Sequence, residues 1–78
     1  MMNPEDIEQM LSKTFPSAVV AVDDMTGTQD HFEIRMSWEG FRGKSLMEQH
    51  KIVHQALEGP LEDGRIHAIK IKTTAPKN

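Results

Sequence analysis

Apolar and polar side chains alternate without a break from residue 31 to residue 38. Phe32, Ile34, Met36 and Trp38 interleave with His31, Glu33, Arg35 and Ser37. A period of two places the first set on one face of a β-strand and the second on the other, so the pattern predicts a strand with one buried face. Upstream, Ile7, Met10, Leu11 and Phe15 recur at helical spacing and form one apolar stripe. Asn3-Pro4-Glu5-Asp6 starts that helix well, with Asn as N-cap, Pro at the first helical position and acids in the first turn. Pro16-Ser17 ends it, because the residue before a proline is pushed out of the α region. Ala18 to Val22 reads as a strand, and Asp23 to Asp30, centred on Gly27, as polar turn.

Downstream, Gly40 and Gly43 punctuate a turn. Ser45 with Glu48 three residues later is a capping box for a second helix. Leu46, His50, Val53 and Leu57 share one face of it, with Ile52 and Ala56 alongside. Gly59-Pro60 breaks that helix, Leu61 to Gly64 allows a short turn, and Ile66 to Lys72 forms the last strand. The resulting order is α-β-β-α-α-β, an α+β domain of two layers. It calls for a three-stranded mixed sheet with the helices packed on one face. The first two strands pair antiparallel, and the third returns parallel through a right-handed crossover. With no repeat, low-complexity tract or linker, residues 1–78 read as one domain.

Composition narrows the chemistry. The chain has no cysteine, which excludes a cysteinyl nucleophile, a redox dithiol, a Cys-rich zinc site and a self-contained iron–sulfur cage. The thiol-free composition leans to a cytoplasmic location. The acidic start does not look like a secretory signal. The longest apolar run, Ala18–Val22, is far short of the roughly 20 residues that span a membrane. Nine Lys and Arg against twelve Asp and Glu leave a net charge of −3, which weighs against non-specific nucleic-acid binding. Lys70, Lys72 and Lys77 follow the last acid and make a local basic strip at the C-terminal end.

Histidine is the remaining candidate. His67 stands at the start of the last β-like run and His31 at the start of the second strand. If those strands are parallel neighbours, both residues fall at the same end of the sheet, within reach of one metal or partner group. The alternative is two separate surface or half-buried histidines, and periodicity does not choose between them. His50 and His54 are four apart on a helix, but Lys51 stands where the zinc-protease pattern needs Glu. His50 then reads as a partly buried, hydrogen-bonded helix residue and His54 as a surface residue. Gly40-Phe41-Arg42-Gly43 matches the GxxG loop of KH domains, yet here it joins a strand to a helix. It reads as a tight turn with Phe41 plugging the core. Asp23 and Asp24 point to opposite faces of a strand end and suit no acid–base pair. No enzyme constellation stands out.

Taken together, Asp30-His31-Phe32, Gly40-Phe41-Arg42-Gly43-Lys44-Ser45, His50 with Val53, Ile66-His67-Ala68, and Lys72-Thr73 with Pro76 resemble the BolA family. The resemblance runs from the first helix to Pro76, and the short connection between strands one and two is similar to that of the short-loop members. It implies a KH-like (BolA-like) fold with the order given above. It also implies a non-enzymatic partner of a monothiol glutaredoxin. In such a heterodimer a [2Fe–2S] cluster is shared, with one thiolate from the glutaredoxin, one from glutathione and histidine from the BolA-like chain. No cofactor is expected in the isolated chain. His67 matches the family ligand. The second family ligand comes from the loop between strands one and two, where Met25 to Asp30 holds neither Cys nor His, and His31 is the nearby candidate.

Two further readings stand beside this one. A DNA-binding transcriptional regulator, a role also attributed to parts of the family, would set Arg42, Lys44, Lys51, Lys70 and Lys72 against phosphates. A metal-free adaptor would hold the glutaredoxin with no cluster. The glutaredoxin is expected to dock around His67, the Asp23–His31 connection with Met25, and the Arg42–Lys44 turn, with Phe41 as an apolar anchor if exposed.

Overall fold

The structure, a computed structural model, describes residues 2–27 and 30–76. The alternating stretch forms β2 (His31–Ser37), flanked by β1 (Val19–Asp24) and β3 (Ala68–Thr74) in a three-stranded sheet ordered β1-β2-β3. β1 pairs with β2 antiparallel, Val22 opposite Ile34, and β3 pairs with β2 parallel, Ile71 opposite Ile34. The helices α1 (Pro4–Thr14), α2 (Leu46–Ala56) and α3 (Glu58–Glu62) complete the order α-β-β-α-α-β. The mixed sheet and its helical cover are those the hydropathy pattern predicts.

The inner face of β2 carries Phe32, Ile34 and Met36, all buried. They share one core with Ile7 and Leu11 of α1, Val22 of β1, and Val53 and Leu57 of α2. Burying one such side chain is worth roughly 1.5–3 kcal/mol, while an exposed ion pair is worth about 1 kcal/mol at most. The inner face therefore decides the register, since a slip of one residue would exchange Phe32 and Ile34 for Glu33 and Arg35. On the open face the charges pair across strands: Arg35 with Asp23 at 2.7 Å, and Glu33 with Lys72 at 3.7 Å and Lys70 at 3.9 Å.

Both helix starts form as the sequence predicts. The Asn3 side chain accepts from the Asp6 N–H at 2.9 Å and the Asp6 carboxylate accepts from the Asn3 N–H at 3.1 Å. Ser45 and Glu48 repeat the exchange at α2, at 3.2 and 2.9 Å. The Gly40–Gly43 turn is structural. Phe41 is fully buried, so it anchors the core and is withdrawn from the docking surface. Its ring meets Trp38 edge-on at 5.2 Å, and Trp38 in turn meets Phe15 at 4.8 Å. Gly40 lies under the Trp38 indole, where any Cβ would overlap the ring, and Gly43 has φ +81°.

Four sequence expectations shift. β1 runs to Asp24, not Val22, because its ladder continues through Asp23–Glu33 and Asp24–Phe32. Gly59-Pro60 does not leave a loop: both lie inside α3, and Pro60 is buried. In a first helical turn the missing proline N–H has no partner to lose. β3 begins at Ala68, two residues late, because Ile66 is drawn into the core. The α2 stripe is fully buried only at Val53 and Leu57, with His50 half-buried as expected. Leu46 is 62% exposed, and the shielded Nε2 of His50, where a hydrogen bond was expected, has no partner among the described residues.

Candidate metal-binding site

The parallel pairing of β2 and β3 places His31 opposite Ala68. One step back along each chain, Asp30 meets His67. The Asp30 carbonyl accepts from the His67 N–H at 2.7 Å and from the Ala68 N–H at 3.2 Å. Its carboxylate does the same for the side chains. One oxygen lies 2.8 Å from Nδ1 of His31, the other 3.0 Å from Nδ1 of His67. The two imidazole rings stand 5.9 Å apart, inclined at 69°. Each of the three residues offers a ligand atom within 4.8 Å of the others, and no other such group occurs among the described residues.

The site is open. The His67 side chain is 62% exposed and that of His31 39%, while Asp30 is the most covered at 24%. His67 escapes the in–out alternation of β3 because it precedes the strand. Its parity with Ile69 and Ile71 would otherwise have turned it toward the helices. Met25 lies beside the site, its N–H donating to the His31 carbonyl at 2.9 Å and its side chain 47% exposed.

The structure brings His31 and His67 together, with Met25 beside them, and leaves the basic candidates elsewhere. Arg42 is bound to both carboxylate oxygens of Glu39, at 2.8 and 2.9 Å, and to the carbonyl of Pro76 beyond the far end of β3. That ion pair raises the Arg42 pKa and lowers that of Glu39, chiefly through the hydrogen bonds. The Ala68–Thr74 strand, about 20 Å long at about 3.3 Å per residue, separates this turn and neighbouring Lys44 from His67. Contact through Arg42 and Lys44 would thus be a second contact, not part of the one at the histidines. Lys51 is exposed on α2 in the helical layer, whereas Lys70 and Lys72 flank Glu33 on the open sheet face. Lys51 thus shares no surface with Lys70 and Lys72, which lie together beside Glu33, and Lys77, the third member of the expected C-terminal strip, lies outside the described residues.

Asp30 is the residue that sequence reasoning passed over. It stood in the turn and in the matching run Asp30-His31-Phe32, with no role of its own. Only the pairing of two distant strands brings it to His67.

The fold is a two-layer α+β domain with an exposed histidine pair, joined by one carboxylate, at the end of its sheet. The family model for BolA-like proteins matches residues 7–78. An uncharacterized protein of Rickettsia prowazekii (strain Madrid E) is 42% identical over 72 residues, 92% of each chain. Protein BOLA2 of Arabidopsis thaliana is 37% identical over 73 residues, 92% of this chain and 76% of that one. Among solved structures, the BolA domain of SufE1 from Arabidopsis thaliana superposes with a TM-score of 0.83 at 25% identity, covering 97% of this chain and 96% of that one. The chain belongs to the BolA-like family.

Proposed function

We propose that this chain is a non-enzymatic partner of a monothiol glutaredoxin, sharing with it a glutathione-ligated [2Fe–2S] cluster in iron–sulfur trafficking or iron regulation. The observation that carries the reading is the pair His31 and His67, held by one carboxylate at an exposed end of the sheet in a chain with no thiol. The donors fit the group. Imidazole nitrogen is a competent ligand to a two-iron cluster, and two histidines on one iron raise its potential relative to an all-thiolate cluster. A cysteine-free chain supplies at most part of the ligand set, so the thiolates come from the glutaredoxin and glutathione. Bound, the cluster supplies electron-transfer or transfer chemistry; His67 and His31 would hold one side of it, and Met25 offers an apolar contact at the rim.

The test mixes the chain with cluster-loaded glutaredoxin and glutathione and compares visible spectra for His67→Ala and His31→Ala. Loss of the mixed-ligand spectrum in His67→Ala, with a smaller change in His31→Ala, is expected. Unchanged spectra and complex stability in both variants would sink the ligand assignments. A complex of equal affinity before and after cluster removal would favour a metal-free adaptor instead.

A further inference from the structure

An ionised carboxylate accepts hydrogen bonds and cannot donate them. Asp30 presents one oxygen to Nδ1 of His31 at 2.8 Å and the other to Nδ1 of His67 at 3.0 Å. With Asp30 ionised, this geometry is satisfied only when both Nδ1 atoms carry the proton. A neutral imidazole has only one, so Nε2 is bare in each ring and keeps a lone pair for a metal. We propose that Asp30 is a positioning residue, whose carboxylate locks both imidazoles in the Nδ1–H tautomer and makes Nε2 the ligand atom of His31 and of His67. This inference rests on the reading of the two histidines as cluster ligands. Metal-bound histidines commonly donate their second N–H to a carboxylate in this way, which orients the ring and raises its basicity. Here one carboxylate serves two rings.

Asp30 also lies within ligand range and offers a competing role as a third ligand. Two facts favour the positioning role. Both of its oxygens are already engaged by the rings, and its side chain is the least exposed of the three, at 24% against 62% for His67. Iron arriving with a partner would meet His67 first.

Long-range 1H–15N correlation of the 15N-labelled chain at alkaline pH reads each ring's tautomer, with no partner or metal present. The expected result is Nδ1–H in both His31 and His67. Asp30→Ala should move both to Nε2–H, and Asp30→Asn only one, because an amide has a single acceptor oxygen. The Asp30 carbonyl that holds the His67 and Ala68 amides survives both substitutions, and the amide spectrum checks the fold. If Asp30→Ala fails to fold, the unsubstituted chain and Asp30→Asn decide. Nε2–H on either ring of the unsubstituted chain, or unchanged tautomers in a folded Asp30→Ala, would overturn the proposal. In the glutaredoxin complex, Asp30→Asn should lose the cluster to a chelator about 10–100-fold more readily, and an unchanged rate would overturn the positioning role. Failure of the unsubstituted chain to take up a cluster would count against the function reading alone, because the tautomer result is obtained without one.

Discussion

Single side chains divide into those that hold the fold and those free to act, and burial separates them. His67 is 62% exposed, so His67→Ala should change folding stability by no more than about 0.5 kcal/mol while abolishing the mixed-ligand cluster spectrum. Urea unfolding beside visible absorption measures both. Gly40 behaves in the opposite way. A methyl group there would overlap the Trp38 indole, which is itself wedged between Phe15 and Phe41. Overpacking against rigid rings costs about 1–3 kcal/mol, so Gly40→Ala should lower the urea midpoint and leave the histidine tautomers untouched. Equal stability in that variant would show that the indole can move aside.

Elements begin where the sequence caps them. The Ser45–Glu48 box at α2 joins a backbone N–H, a hydroxyl and a carboxylate, and Ser45→Ala should cost about 1 kcal/mol in thermal or urea unfolding. The same box has a signature in pH. The Glu48 carboxylate accepts from the Ser45 backbone N–H, is further favoured by the Ser45 hydroxyl and the Lys44 charge, and lies below the ordinary glutamate range. A carboxylate depressed in the folded state takes its proton first in the unfolded chain. Its contribution is therefore present above the ordinary glutamate pKa and is lost as pH falls through the lower folded value. Glu39 and Asp63 are lowered too, by Arg42 and by the Arg65 backbone N–H, so the whole chain should lose stability on this acid limb. Glu48→Gln should flatten that limb below the ordinary glutamate range, and an unchanged slope would remove Glu48 from the account.

Across the whole molecule, the candidate site lies at one end of the sheet. The histidine end gathers Asp30, His31, His67 and Met25, while Arg42 and the Pro76 carbonyl meet beyond the opposite end. Amide shift mapping with a monothiol glutaredoxin should therefore perturb residues 23–27, 30–32 and 66–68. Perturbations confined to Pro4–Lys13 would refute docking at the histidines. Charge distribution bears on the DNA reading. With a net charge of −3, and Lys51 on a different layer from Lys70 and Lys72, binding to duplex DNA should be no tighter than about 10⁻⁴ M at physiological salt, without sequence preference. Tight, sequence-selective binding would restore that reading.

Local chemistry was enough for the sequence to determine both helix starts, the two-faced central strand and the order of elements. Capping, proline geometry and a period of two act over a few residues, and the alternation at 31–38 can place Phe32, Ile34 and Met36 only inside. Boundaries were less legible where tertiary packing overrides local preference. Pro60 entered a helix because a first turn tolerates it, and Ile66 left the strand with its side chain buried in the core. The sequence also singled out His31 and His67 as candidates. What tertiary structure alone decided is that they share Asp30. The contact joins residues 37 apart in the chain, and it depends on the register of a parallel pairing, which no local pattern encodes. A shift of one residue in that register would separate the carboxylate from His67 and leave two unrelated histidines.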